Sequence, residues 1–144
     1  MNYKRIIIIV LIVIGIFIIN NNRVDSRDKN LYYDNFRSTD NVVFNDKFDY
    51  NANLEKVGDY YEIVFDVINE SNNLYEITEL DINDNDEFFS YNLTYANDDK
   101  VKIGDKIDKN SIVTLKYRVD YKKLVIDNNH EFDTSFNIEY GQYF

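Results

Sequence analysis

VTLKYRVDY, residues 113–121, puts Val113, Leu115, Tyr117, Val119 and Tyr121 on one side of an extended chain and Thr114, Lys116, Arg118 and Asp120 on the other. Side chains alternate across a strand, so this is a β-strand with one oily face and one wet face. The same period of two runs outward in both directions. Upstream, Tyr61, Ile63, Phe65 and Val67 share one face, while Tyr60, Glu62, Val64, Asp66 and Ile68 share the other. That second face is itself partly apolar, which predicts a central strand. Phe89, Tyr91, Leu93 and Tyr95 alternate with Ser90, Asn92 and Thr94, and Phe132, Thr134, Phe136, Ile138 and Tyr140 with Asp133, Ser135, Asn137 and Glu139. Val42, Phe44, Phe48 and Tyr50 form another such run, interrupted at Asp46. Between Leu74 and Ile82 the phase switches: Tyr75 and Ile77 lie on one parity, Leu80 and Ile82 on the other. An extra residue near Thr78, a β-bulge, would reconcile them.

Asn-, Asp- and Ser-rich turns separate these runs: residues 69–73, 83–86, 97–99 and 127–129. Strands at intervals near ten residues, with oily faces on both sides, predict two antiparallel sheets packed face to face. No stretch after residue 25 carries a capped helical period, so crossover helices for a parallel sheet have no place. The expectation is an all-β fold, a single antiparallel Ig-like β-sandwich of six or seven strands. A small β-barrel is the alternative, because alternation alone does not separate open sheets from closed ones.

The stretches YYEIVFDVINESNNLYEITELDI (residues 60–82) and VKIGDKIDKNSIVTLKYRVDYKK (residues 101–123) extend this reading. The first resembles the N-terminal half of Ig-like or fibronectin-like modules of exported bacterial surface proteins, where a strand ends in an Asn-rich turn. The second resembles their second half, where a G-D-x-I-x-x-x-S turn, here Gly104 to Ser111, precedes a long alternating strand. The resemblance spans residues 60–123 and implies a surface-displayed or envelope-associated structural module. It brings no catalytic residues.

At the other end of the chain, Ile6 to Ile19 is an unbroken apolar run, IIIIVLIVIGIFII, behind Lys4 and Arg5 and ahead of Asn20-Asn21-Asn22-Arg23. As a helix it would span about 21 Å, short of a hydrocarbon core of about 30 Å, a length that also suits a signal-peptide core. Thinning of the bilayer or inclusion of flanking residues would let it cross. No Ala-x-Ala cleavage site is present, and Val24-Asp25-Ser26 is the best substitute. Residues 1–24 are therefore expected to be an apolar helix, first as an uncleaved transmembrane anchor inserted through residues 6–19, second as a cleaved signal segment. A buried core helix or strand is the remaining reading. Either export route leaves the N-terminus cytoplasmic and the rest outside, by the bias of positive charge toward the cytoplasm. Residues 25–41 are expected to form a polar stalk, ordering around Leu31-Tyr32-Tyr33 and Phe36, with the sandwich over 42–144.

Charge sharpens the expectation. Lys4, Arg5 and Arg23 precede residue 25 and all 26 acidic residues lie from Asp25 onward, so 13 basic groups face 26 acids there, a formal charge of −13. Such a surface repels phosphate backbones and anionic headgroups, which speaks against nucleic acid as a partner and suits a domain standing off its membrane. The chain has no cysteine, which excludes disulfides, thiol catalysis and Cys-based zinc sites. With 13 Tyr and 10 Phe, packing of aromatic rings is expected to supply the stability instead.

Few residues carry site chemistry. His130 sits alone in a loop, and no serine has a G-x-S-x-G context, so no catalytic residue is assigned and no enzyme is expected. Asp81, Asn83 and Asn85 match the first, third and fifth ligands of an EF-hand loop, but Asp86 replaces its glycine and Asn92 its bidentate Glu. A looser calcium site of Asp81, Asn83 and Asn85 with Asp98 and Asp99 is the only metal candidate, and no other cofactor is expected. A glycosidase would need two acids about 5 to 9 Å apart across a cleft, which the sequence does not specify. Exposed rings stack on sugars, and Tyr60 and Tyr143 fall off the core parity. The expected partners are thus the membrane, another envelope protein or a cell-wall glycan. Two Asn-x-Ser/Thr matches, at Asn69 and Asn92, are background in so Asn-rich a chain.

Overall fold

The computed structural model describes residues 11–20, 31–45, 49–82, 86–125, 132–133 and 136–144, with 11–20 and 132–133 as backbone strands. Among the described residues there are eleven strands: β1 Leu11–Asn20, β2 Leu31–Ser38, β3 Val42–Phe44, β4 Asp49–Leu54, β5 Tyr60–Asn69, β6 Leu74–Ile82, β7 Phe89–Tyr95, β8 Lys106–Ile107, β9 Ser111–Tyr121, β10 Phe132–Asp133 and β11 Phe136–Tyr143. They form a seven-stranded sheet, in the order β3-β4-β1-β11-β6-β8 with β10 also on β1, and a four-stranded sheet, β2-β5-β9-β7. Neither order closes on itself, so the barrel alternative fails and the all-β expectation holds.

The alternating runs become the strands they predict. In β5, Tyr61, Ile63, Phe65 and Val67 are buried, and the strand pairs with β2 on one side and β9 on the other, the central place its second apolar face implied. The bulge falls where the phase switched. Glu79 pairs with Glu139 and Ile77 with Tyr140, so Thr78 is the extra residue. Gly141 makes room for it, since a Cβ there would lie 2.8 Å from Thr78 Cγ2. Gly104 and its turn seat β8: Gly104 has a positive φ of 92°, its N–H donates to Ile77 O, and the Asp105 carboxylate accepts from the Lys102 N–H and the Tyr95 hydroxyl.

Both sheets turn rings toward one core. Tyr33, Tyr50, Tyr61, Tyr75, Tyr117 and Tyr140 are among its largest fully buried side chains. Rings meet across the two sheets: Phe65 and Phe136 at 5.8 Å between centroids, Tyr117 and Phe136 at 4.5 Å, Tyr33 and Tyr140 at 6.5 Å. Each fully buried large apolar side chain is worth about 1.5–3 kcal/mol, so this set carries the fold. Its hydroxyls pair with each other, Tyr33 with Tyr140 at 3.3 Å and Tyr50 with Tyr61 at 3.0 Å, which removes the cost of burying them singly.

Three expectations need correction. Residues 11–20, expected within an apolar helix, are a strand, and no helix among the described residues is long and apolar enough to cross a membrane. Ile and Val are β-branched and fit a pleated surface, so a run of them is as good a strand as a lipid-facing helix. The pairing is also not wholly antiparallel: β1 runs parallel to β10 and β11. Strands β2 to β9 lie between β1 and its parallel partners in the chain, so no crossover helix is needed, which is why these pairs escape the argument against parallel sheets. Within the expected stalk, Leu31–Ser38 is the edge strand of the four-stranded sheet, with Leu31 and Tyr33 buried. The last alternating run is strand wherever it is described, as β10 and β11, and β11 continues to Tyr143. Phe48, Asn83, Asn85, Thr134, Ser135 and His130 lie outside the described residues.

Candidate functional site

The bulge that re-phases β6 also shapes the outer surface of the seven-stranded sheet. Opposite it, β11 has a glycine where a side chain would stand, and a groove of 530 Å³ opens there, lined by Glu76, Thr78, Gly141, Gln142, Tyr143 and Phe144. Tyr143, 46 % exposed, forms one wall, and Phe144 is fully exposed at its end. The Lys106 ammonium sits 3.7 Å from the centre of the Tyr143 ring, a cation–π contact that fixes the ring's orientation. Glu76 supplies an acceptor and the Gln142 amide both a donor and an acceptor. An aromatic wall with a few polar groups is chemistry suited to a sugar ring or a short peptide, and Glu76 is the one acid in the lining. Of the two rings singled out from the sequence, Tyr143 is in this groove. Tyr60 is on the four-stranded sheet, 42 % exposed, with the Arg118 guanidinium 3.7 Å from its ring centre. Asp120 holds that guanidinium through a 2.7 Å bond, which pushes the Arg118 pKa up.

Of the calcium candidates, Asn83 and Asn85 lie outside the described residues. Asp81 is exposed on β6, paired in register with Asn137. Asp98 forms an ion pair with Lys116, and the Asp99 carboxylate accepts from the Asn97 amide at 2.8 Å. Asp86, within the same acidic run, accepts from the Phe88 and Phe89 N–H groups and from the Tyr91 hydroxyl, which anchors the start of β7. Among the described residues, no three of His, Cys, Asp and Glu gather where they could hold a metal ion.

Two polar clusters escaped the sequence reading. Asp66, 7 % exposed, accepts from the Asn35 amide at 2.9 Å and the Thr114 hydroxyl at 2.7 Å, with Arg37 at 3.6 Å. Asn35 reaches it from a bulge in β2, where its φ is 54°. The other cluster centres on Asn69, whose amide donates to Asn73 O and Asp108 O while its oxygen accepts from the Ser71 N–H and hydroxyl. Both join segments distant in sequence, so they act as structural staples. The signal for Asp66 was its place between Val64 and Ile68 on the partly apolar second face of a central strand.

The fold and groove define a class no finer than an open, two-sheet all-β protein. Compared with known proteins, the chain matches no family model and no curated sequence.

Proposed function

We propose that this chain is a non-catalytic envelope protein, delivered across the membrane by its apolar N-terminus, whose Ig-like β-sandwich serves as an interaction or structural module. The observation that carries it is the order of the sequence: two cations, fourteen apolar residues from Ile6 to Ile19, then an all-β region with a formal charge of −13. Positive charge ahead of an apolar run favours a cytoplasmic N-terminus and an exported remainder, either tethered by a single pass or released after cleavage. The interaction reading is supported by how the polar groups are used. The buried carboxylate Asp66 is bonded to side chains of neighbouring strands, and the groove pairs one acid with an aromatic wall in place of an acid pair. Fractionation of cells expressing the full chain is the test. Recovery with the membrane, or in the medium without the leader, is expected; recovery as a soluble cytosolic protein would contradict it.

The groove favours a second reading, a ligand-binding module for a cell-wall glycan. Tyr143 would stack on the sugar face, and Gln142 and Glu76 would bond its hydroxyls. Pull-down of the full chain on purified cell wall is expected to drop at least about tenfold on Tyr143→Ala, the loss of one stacked ring and its neighbours. Retention unaffected by Y143A would rule this site out.

A further inference from the structure

We propose that the groove beside Gly141 takes a glycan carrying a free amino group, and that Glu76 selects it by pairing with the sugar's ammonium. This rests on the glycan reading of the groove and names which glycan.

Tyr75 and Ile77 are buried, so alternation turns Glu76 to the outer face of the seven-stranded sheet. There both cross-strand neighbours leave it uncovered. On β11 its partner in register is Gly141, which has no side chain. On β8 its partner is Lys106, and opposite charges facing each other across two strands ordinarily pair. The Lys106 ammonium instead sits 3.7 Å from the centre of the Tyr143 ring and does not line the groove. Gly104, in the turn before β8, adds a second open flank: its missing Cβ would lie 3.9 Å from Glu76 Oε1. Among the described residues, no hydrogen bond or ion pair engages the Glu76 carboxylate. It is half-buried between two glycines, so it has lost part of its hydration and gained no partner in return. A cationic ligand restores that balance, and a formal charge of −13 from residue 25 onward draws cations toward the site.

The rest of the lining decides which cation. A volume of 530 Å³ is that of a small-molecule site. Tyr143 offers a flat aromatic wall, and the Gln142 amide and Thr78 hydroxyl are uncommitted among the described residues. A lysine side chain of a peptide would use the carboxylate and leave the amide and hydroxyl without partners. An amino sugar engages all of them: its ring face lies on Tyr143, its hydroxyls bond Gln142 and Thr78, and its ammonium meets Glu76. Acetylation of the amine removes the charge and leaves Glu76 facing a neutral amide. The site therefore discriminates between the free amine and its N-acetyl form.

Titration calorimetry of the detergent-solubilised full chain with short oligomers of glucosamine and of N-acetylglucosamine is the test. The glucosamine oligomer is expected to bind about tenfold more tightly, the scale of one charge-assisted pair. Glu76→Gln should abolish that preference and leave the weaker N-acetylglucosamine binding in place, which also shows the fold intact. Glu55→Gln, which removes an exposed acid just after β4, should leave the preference unchanged. Equal affinities for the two oligomers, both weakened by Y143A, would overturn the amine preference and leave the glycan reading standing. Equal losses in E55Q and E76Q would reduce the attraction to overall charge and overturn the proposal. Binding of neither oligomer would overturn it too, while retention of Y143A on cell wall decides the glycan reading separately. Tighter binding of a lysine oligopeptide than of the glucosamine oligomer would assign the groove to a peptide and overturn it.

Discussion

Tyr33 and Tyr140 meet hydroxyl to hydroxyl at the centre of the core, one from each sheet. A buried hydroxyl deprived of its partner costs about 1–3 kcal/mol, whereas removing both together leaves nothing unsatisfied. Y140F is therefore expected to lower stability by about that amount, and Y33F/Y140F to recover most of it; denaturant melts of the three chains check this. Equal losses in the single and double variants would mean the pair contributes nothing. Asn69 is tied down more tightly, with four bonds inside the turn between β5 and β6 and across to Asp108. N69A should cost more than about 2 kcal/mol, because it strands several buried groups at once. The same geometry separates the two sequons. Secreted from a eukaryotic host, the chain is expected to carry glycan on exposed Asn92 and none on Asn69, read by mass spectrometry of the peptides. That Asn69 was structural was not legible in the sequence, since an Asn-rich turn reads as solvated whether or not a neighbouring turn folds over it.

At the scale of elements, the bulge in β6 was legible because an inserted residue leaves a parity error, visible at Tyr75, Ile77, Leu80 and Ile82. Its partner was not, for Gly141 lies 63 residues away and the sequence does not say what faces Thr78. Adding a methyl in that space, as Gly141→Ala, should destabilise by about 1–3 kcal/mol, and Thr78→Ser, which removes the opposing Cγ2, should restore most of it. Thermal melts of both decide; an unaltered G141A would show that the bulge has slack. The first two strands were misjudged for opposite reasons. β1 is apolar from Leu11 to Ile19, so no period separates helix from strand there. β2 mixes Leu31 and Tyr33 with Asp34, Asn35 and Arg37, and its bulge breaks the alternation that would have revealed it.

For the molecule as a whole, the tyrosine-rich core sets a pH limit. Burial raises the pKa of Tyr33 and Tyr140 above the ordinary 10.0, and burial with the Asp105 bond raises Tyr95. Above pH 10 the unfolded chain sheds these protons while the folded chain keeps them, so the folded state binds more protons and stability falls as pH rises. The contribution is whole below pH 10 and is lost progressively toward the higher folded values. Urea midpoints are expected to decline above pH 10, less steeply in Y33F/Y140F; parallel declines would mean these two do not drive the loss. The all-β class was legible at this scale because the alternation is strong over residues 60–68, 89–95 and 113–121, each of which lies in one strand. The groove was legible only as Tyr143 off the core parity; its other walls come together through the pairing of β6 with β11. The central claim concerns where this molecule resides, and a single cysteine reports it. Lys109 is exposed in the turn before β9, so a K109C chain in intact cells meets a membrane-impermeant maleimide only if its sheets lie outside. Labelling as strong before lysis as after is the expected result; labelling that requires lysis would contradict export of the domain.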